Sequence, residues 1–263
     1  DQIVADGMTP FCFGMYSNGA SGWLATDWME DIMLRTGNGT DSYDKWVTNE
    51  LAMTDPIVKN AATLLSQIMH TEGYVAGGTD AIVSTFFGNA QDPMFSKDAN
   101  GNPGCFMHRQ ASFITAFWPE GEQEFAGSKT TVFGFPVIDP SLPKAALGAG
   151  DMWGAFNDRE ATKAVAAYML ELDFFDSIAE SPQNSRLSGH AKYPSDRYGS
   201  DLYKEFGNIV SAALSENAFR FDASDLMPPE VGAGSFWKEM MNLAVEGPGY
   251  VDTALDEIQK SWP

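Results

Sequence analysis

Three short segments gather side chains able to grip a polar ligand: Trp23 with Asp27, His108-Arg109-Gln110, and Phe236-Trp237 after Gly232-Ala233-Gly234. An aromatic face stacks on the apolar face of a sugar ring, while carboxylates and a guanidinium make charge-assisted hydrogen bonds to its hydroxyls. The set therefore suits a neutral polyol. From spacing alone the plainer reading is favoured, in which Trp23, Phe236 and Trp237 are ordinary core aromatics. Other chemistry has weaker support. His70, His108 and His190 are far apart, with no second His or Cys at metal-ligand spacing beside them, so no metal is expected. There is no nucleophile elbow, no P-loop and no dinucleotide fingerprint; Gly148-Ala149-Gly150 lacks the third glycine. The loop from Lys97 to Gly104 resembles a calcium loop only superficially. Counted from Asp98, the required glycine is Pro103 and the bidentate glutamate is Arg109.

These segments need strand ends and helix starts to hold them. Phe11 to Tyr16 is a short apolar run that reads as a strand, and Ser17 to Gly22 as the loop after it. Leu24, Trp28, Ile32, Met29 and Met33 stripe a helix from about Leu24 to Arg35. Thr54 is expected to cap a long helix whose face is Val58, Ala61, Ala62, Leu65, Ile68 and Met69. Cys105 to His108 is expected as a second strand, Thr131 to Phe135 as a third and Met152 to Phe156 as a fourth. Further helices are expected at Thr79–Phe87, Ala111–Trp118, Arg159–Leu172, Leu202–Leu214, Ser235–Val245 and Val251–Trp262. Strands alternating with helices argue an α/β chain with a mostly parallel sheet flanked by helices. In such sheets ligands sit beyond the carboxyl ends of the strands, where these segments fall.

The chain has 263 residues, long enough for a real core. Its 36 Asp and Glu against 16 Lys and Arg give a formal charge of −20, which excludes the basic face that a nucleic-acid partner wants. No apolar run is long enough to span a membrane. Two cysteines, Cys12 and Cys105, fit either redox compartment, as buried thiols or as a bridge. Asp1 to Gly7 carries no start signal, so the sequence reads as a piece of something longer.

Four segments together resemble the extracellular solute-binding proteins of carbohydrate ABC transporters, in the class of maltose-binding protein and its alpha-glucoside-binding branch. They are Phe11-Cys12-Phe13-Gly14 with Gly22-Trp23-Leu24-Ala25-Thr26-Asp27-Trp28; Cys105-Phe106-Met107-His108-Arg109-Gln110-Ala111-Ser112-Phe113; Gly148-Ala149-Gly150-Asp151-Met152; and Phe219 to Pro228 running into Val231 to Trp237. The last is long and specific.

The resemblance implies a periplasmic-binding-protein-like fold of two hinged lobes closing on sugar, here without a signal peptide and most of the N-terminal lobe. Residues 1–147 and 191–263 then form the C-terminal lobe, and 148–190 cross back to the other lobe. It implies ligand contacts at Trp23, Asp27, His108, Arg109, Asp151 and Trp237, with Gln110 and Phe236 less central. It places Cys12 and Cys105 on neighbouring strands as a disulfide, which an oxidising compartment favours. The implied function is capture of an alpha-glucoside or related oligosaccharide for a membrane permease, outside the cytoplasm, in the periplasm or on a Gram-positive surface as a lipoprotein. No cofactor, catalysis or nucleic-acid partner is implied, and the whole protein is expected to be monomeric. The alternatives are a glycoside hydrolase, which would need two carboxylates flanking a bond, and a carbohydrate-interaction domain.

Overall fold

A computed structural model describes residues 1–122, 129–181 and 184–263. The expected helix stripe becomes α1, Trp23–Met33, in which every residue from Leu24 to Met33 is buried. A helix enclosed on all sides should be apolar all round, yet α1 carries Asp27, Glu30 and Asp31. Those acids are one turn apart on one face, and much of the site follows from satisfying them. Around α1 come α2, Thr40–Val47, and α3, Pro56–His70. Asp55, not Thr54, caps α3: its Oδ1 accepts the Ile57 N–H at 2.8 Å, with Pro56 in the first turn.

Strand β1, Phe11–Cys12, pairs in parallel with β2, Met107–His108. Parallel bridges from Phe11 to Val75 and from Tyr16 to Phe86 extend that ladder on its other flank. A second parallel pair joins β3, Ala146–Gly148, to β4, Phe219–Phe221. The later helices are α4, Glu160–Met169; α5, Asp201–Ser215; α6, Ala223–Leu226; α7, Trp237–Glu246; and α8, Val251–Lys260. Helices α1, α3, α7 and α8 enclose the main core, which holds Trp28, Met29, Trp46, Leu65, Phe236 and Leu255. A smaller cluster gathers Tyr193, Tyr198, Leu202 and Tyr203.

Two expected strands do not form. Thr131 to Phe135 and Met152 to Phe156 are irregular. Apolar character makes a strand only where a neighbour supplies hydrogen bonds. Met152, Trp153 and Phe156 are instead 79, 79 and 97% exposed, and the following α4 buries none of its residues. The expected helix at 111–118 is a 3₁₀ segment, Ser112–Phe117, and the one at 79–87 is shorter, Gly78–Ser84.

Cys12 and Cys105 form a disulfide, with Cα atoms 5.4 Å apart and both residues buried. The bridge joins β1 to the approach of β2 across 93 positions of sequence. Loop-closure entropy for a loop of this length is worth about 4–5 kcal/mol in the unfolded state. The double variant Cys12→Ser with Cys105→Ser should lose stability on that scale in urea unfolding, and the denatured, unreduced parent should show no free thiol. A parent with two titratable thiols contradicts the bridge.

Candidate functional site

The site is built around Arg109, which β2 delivers to the acidic face of α1. Its Nη1 lies 2.5 Å from Asp27 Oδ2, its Nε donates to Asp31 Oδ2 at 2.8 Å, and its Nη2 is 2.7 Å from the same oxygen. Asp31 is shared. Its Oδ1 accepts from Arg35 Nη1 at 2.9 Å, and Arg35 also donates to the carbonyls of Ala145 and Phe135. A shared carboxylate held by two guanidiniums is strong, directional pairing in a setting where an unpaired charge is costly. Burial alone would lower the pKa of Arg109, but Asp27 and Asp31 outweigh it and raise it.

Glu30, on the same face, is met by α6 rather than by Arg109. It accepts from the Ala223 N–H at 2.8 Å, the Ser224 N–H at 3.2 Å and the Tyr43 hydroxyl at 3.2 Å. It thereby holds the first turn of α6. Asp222 caps the same turn, accepting from the Ser224 hydroxyl at 2.8 Å and the Asp225 N–H at 3.0 Å. Burial, then the Asp222 and Asp27 charges, push Glu30 well above the ordinary carboxylate range. Burial pushes Asp27 up to about 7 although Arg109 pulls the other way. His108 is pushed down to about 3, first by burial and then by Arg109.

The starts of α1 and α7, which carry the two tryptophans, meet at a close backbone approach. Gly22 precedes α1 with φ +106°, and a Cβ there would lie 2.0 Å from the Trp237 carbonyl oxygen. Only glycine lets the start of α1 sit against the start of α7. Gly232 does the same one turn earlier, where a Cβ would lie 1.8 Å from the Ser224 carbonyl oxygen. Residues Glu230–Phe236 form a π-helical turn that feeds α7. Trp237 is half-buried, and its Nε1 donates to the Ser224 hydroxyl at 3.2 Å. Trp23, also half-buried, packs on Phe87 and Phe113 with centroids 5.4 and 6.1 Å away.

Trp23, Asp27, Arg109 and Trp237 thus share one region, with His108 and Gln110 flanking Arg109 in sequence. Asp27 is 6% exposed and turned onto Arg109, so it aims the guanidinium rather than offering an open acceptor. Asp27 Oδ1, His108 Nε2 and Gln110 Nε2 are buried without a hydrogen-bond partner among the described residues. Two expected residues lie elsewhere. Phe236 is fully buried against Trp46 at 5.5 Å and is a core side chain. Asp151 is exposed, its nearest cation being Arg186 at 3.6 Å. Sequence reasoning missed Glu30, Asp31, Ser224 and Asp222. The three-to-four-residue spacing of Asp27, Glu30 and Asp31 inside an apolar stripe was the available signal.

Arg109→Ala should cost about 3–5 kcal/mol in urea unfolding, because it strands buried carboxylates. His108 gives a second expectation. It stays neutral in the fold down to about pH 3, whereas unfolded histidine titrates near 6.5. The associated stability is whole above pH ~6.5 and is lost as pH falls towards ~3. His108→Gln should therefore lose less stability than the parent across that interval, as read by chemical unfolding at successive pH values.

No family model matches the chain. The alpha-glucosides-binding periplasmic protein AglE of Rhizobium meliloti is 37% identical over 264 residues, covering 100% of this chain and 55% of that protein. The osmoprotective compounds-binding protein GgtB of Synechocystis is 32% identical over 262 residues, covering 100% of this chain and 59% of that protein. The chain therefore spans little more than half the length of these curated relatives. A solved chitin oligosaccharide binding protein has the same fold, with a TM-score of 0.69 at 18% identity over 98% of this chain and 60% of that one. Along its whole length the chain resembles the carbohydrate solute-binding proteins, the alpha-glucoside-binding kind among them, and it has their α/β periplasmic-binding-protein-like fold.

Proposed function

We propose that this chain supplies one wall of a carbohydrate-binding cleft in the substrate-binding component of an ABC importer. The observation that carries the reading is the backbone approach of Gly22, next to Trp23, to Trp237, with an Arg109 held by Asp27 and Asp31 from the same helix as Trp23. Rigid indoles and a clamped guanidinium are what a neutral polyol needs for stacking and directional donors. The relatives named for alpha-glucosides and for osmoprotective compounds support the ligand class, and an alpha-glucoside is the ligand we favour. His108 and Gln110 stand at the rim of the set, and Asp151 joins it only if residues 148–190 cross into a second lobe. The exposed Met152, Trp153 and Phe156 suit such a crossing, because apolar side chains so exposed favour burial against a partner surface.

The role is binding without catalysis. A hydrolase needs a carboxylic acid and a carboxylate flanking the bond, whereas Asp27, Glu30 and Asp31 are buried and already engaged by Arg109, Arg35 and backbone N–H groups. The permease partner, a monomeric whole protein and a place in the periplasm or on the cell surface complete the proposal. The disulfide suits an oxidising compartment.

Calorimetry with maltose, trehalose and longer alpha-glucosides tests it, on this chain and on the whole-length protein. Trp237→Ala should weaken binding by roughly 1–3 kcal/mol, the scale of losing one aromatic anchor, with little change in melting temperature. Whole-length protein that ignores every sugar, or that releases chromophore from a nitrophenyl alpha-glucoside, defeats the proposal. Lost stability with unchanged affinity would make Trp237 a core residue.

A further inference from the structure

The acidic face of α1 continues past Arg109 into a buried cluster that the sugar reading leaves unused. Asp27, Glu30 and Asp222 each bring a carboxylate oxygen within 4.8 Å of the other two, and all three residues are buried. A cluster of acids can be held together by its own hydrogen bonds, and Glu30 and Asp222 are so held. Asp27 is different. Its Oδ2 faces Arg109, but its Oδ1, in a side chain with under a tenth of its surface exposed, meets no donor among the described residues. A buried carboxylate oxygen without a partner bears a desolvation cost that a ligand would relieve.

The charges give an independent argument. Asp27 is repelled by Asp222 and Asp31, Glu30 is repelled by Asp222 and Asp27, and the cations set among them are Arg35 and Arg109. Four carboxylates gather around two guanidiniums in the protein interior, and burial with mutual repulsion pushes Asp27 and Glu30 towards their protonated forms. A divalent cation offers the same acids another way to be matched, in place of protons.

We propose that Asp27, Glu30 and Asp222 hold a calcium-type divalent cation beneath Arg109 and Trp237. The ligands are hard oxygens, which select calcium or magnesium over softer metals. Calcium takes about six to eight oxygens in flexible geometry, a number that three carboxylates reach with bidentate binding or added water. The N–H groups of Ala223 and Ser224 fix the Glu30 carboxylate, and the Ser224 hydroxyl fixes Asp222. Such outer partners orient ligands in metal sites. Trp237 reports on the site, since its Nε1 is bonded to the same Ser224 hydroxyl. The proposal does not depend on what the cleft binds.

The test uses this chain, stripped with a chelator and held at pH 8, where protons compete least. Calcium should raise its unfolding temperature by several degrees and give a saturable one-site heat in calorimetry. Terbium should show tryptophan-sensitised luminescence that calcium displaces. Asp222→Asn, checked for a cooperative melt, should weaken calcium binding at least tenfold, while Asp98→Asn, in the superficially calcium-like loop, should leave it unchanged. If Asp222→Asn does not fold, Asp27→Asn serves in its place. No calcium-dependent shift and no saturable heat in the parent overturns the proposal, as does binding abolished by Asp98→Asn. Stability that rises on acidification with no response to cations would show protons alone matching the cluster, and would also overturn it.

Discussion

Asp31 is the carboxylate on which the site is hung. One of its oxygens takes Arg35 from the turn just past its own helix and the other takes Arg109 from the end of β2. Helix α1 is buried on every side, so its three acids had to be matched from outside the helix or not ionise. Arg109 reaches them because β2 lies beside β1, and that placement is reinforced by the Cys12–Cys105 bridge at the strand's approach. Glu30 is matched by the backbone of α6, delivered by a segment almost two hundred positions later, with a separation of 193 to Ala223. Local pairs within a helix cost little chain entropy to form; a contact of this span must be repaid by burial and by several hydrogen bonds acting together.

The same arrangement separates core from site within two adjacent residues. Phe236 ends the π-helical turn pointing into the core against Trp46, and Trp237 begins α7 pointing to the Ser224 hydroxyl. A helix turns by about 100° per residue, so neighbours cannot share a face. The glycines on either side make this possible by removing the Cβ where backbone meets backbone, at Gly22 against Trp237 and at Gly232 against Ser224. The family resemblance implied both aromatics as ligand contacts, and the geometry makes Phe236 a core side chain instead.

The helices were legible because their burial follows a 3.6-residue period, as in the stripe of α1 and the face of α3. The α/β class was legible for the same reason, since short apolar runs fell between those periods and the pairs they form are parallel. What failed were runs whose state depends on a neighbour. Thr131–Phe135 and Met152–Phe156 have strand composition, but no ladder partner meets them among the described residues. The cap of α3 moved by one residue because Thr54 and Asp55 are both good caps, and Pro56 fits the first helical position after Asp55. The Trp23, Arg109 and Trp237 grouping was visible through its resemblance to a family. The Asp27, Glu30 and Asp222 grouping was not, because Asp222 reads locally as the cap of α6 and joins α1 only through the fold.

The burial of Asp27 changes what the site can recognise. An open carboxylate would select ligands by accepting from their hydroxyls. Asp27 instead commits its Oδ2 to Arg109 Nη1, and Asp31 its Oδ2 to Arg109 Nε. Of the five guanidinium N–H groups, those directed at the two aspartates are committed, and the rest are the donors left to a ligand. In the proposed carbohydrate cleft, such a donor-rich wall would meet ring oxygens and hydroxyl lone pairs above a flat apolar face. Selectivity in that cleft would then come from where the ligand places those acceptors, because a guanidinium held by two carboxylates cannot turn to follow a misplaced one.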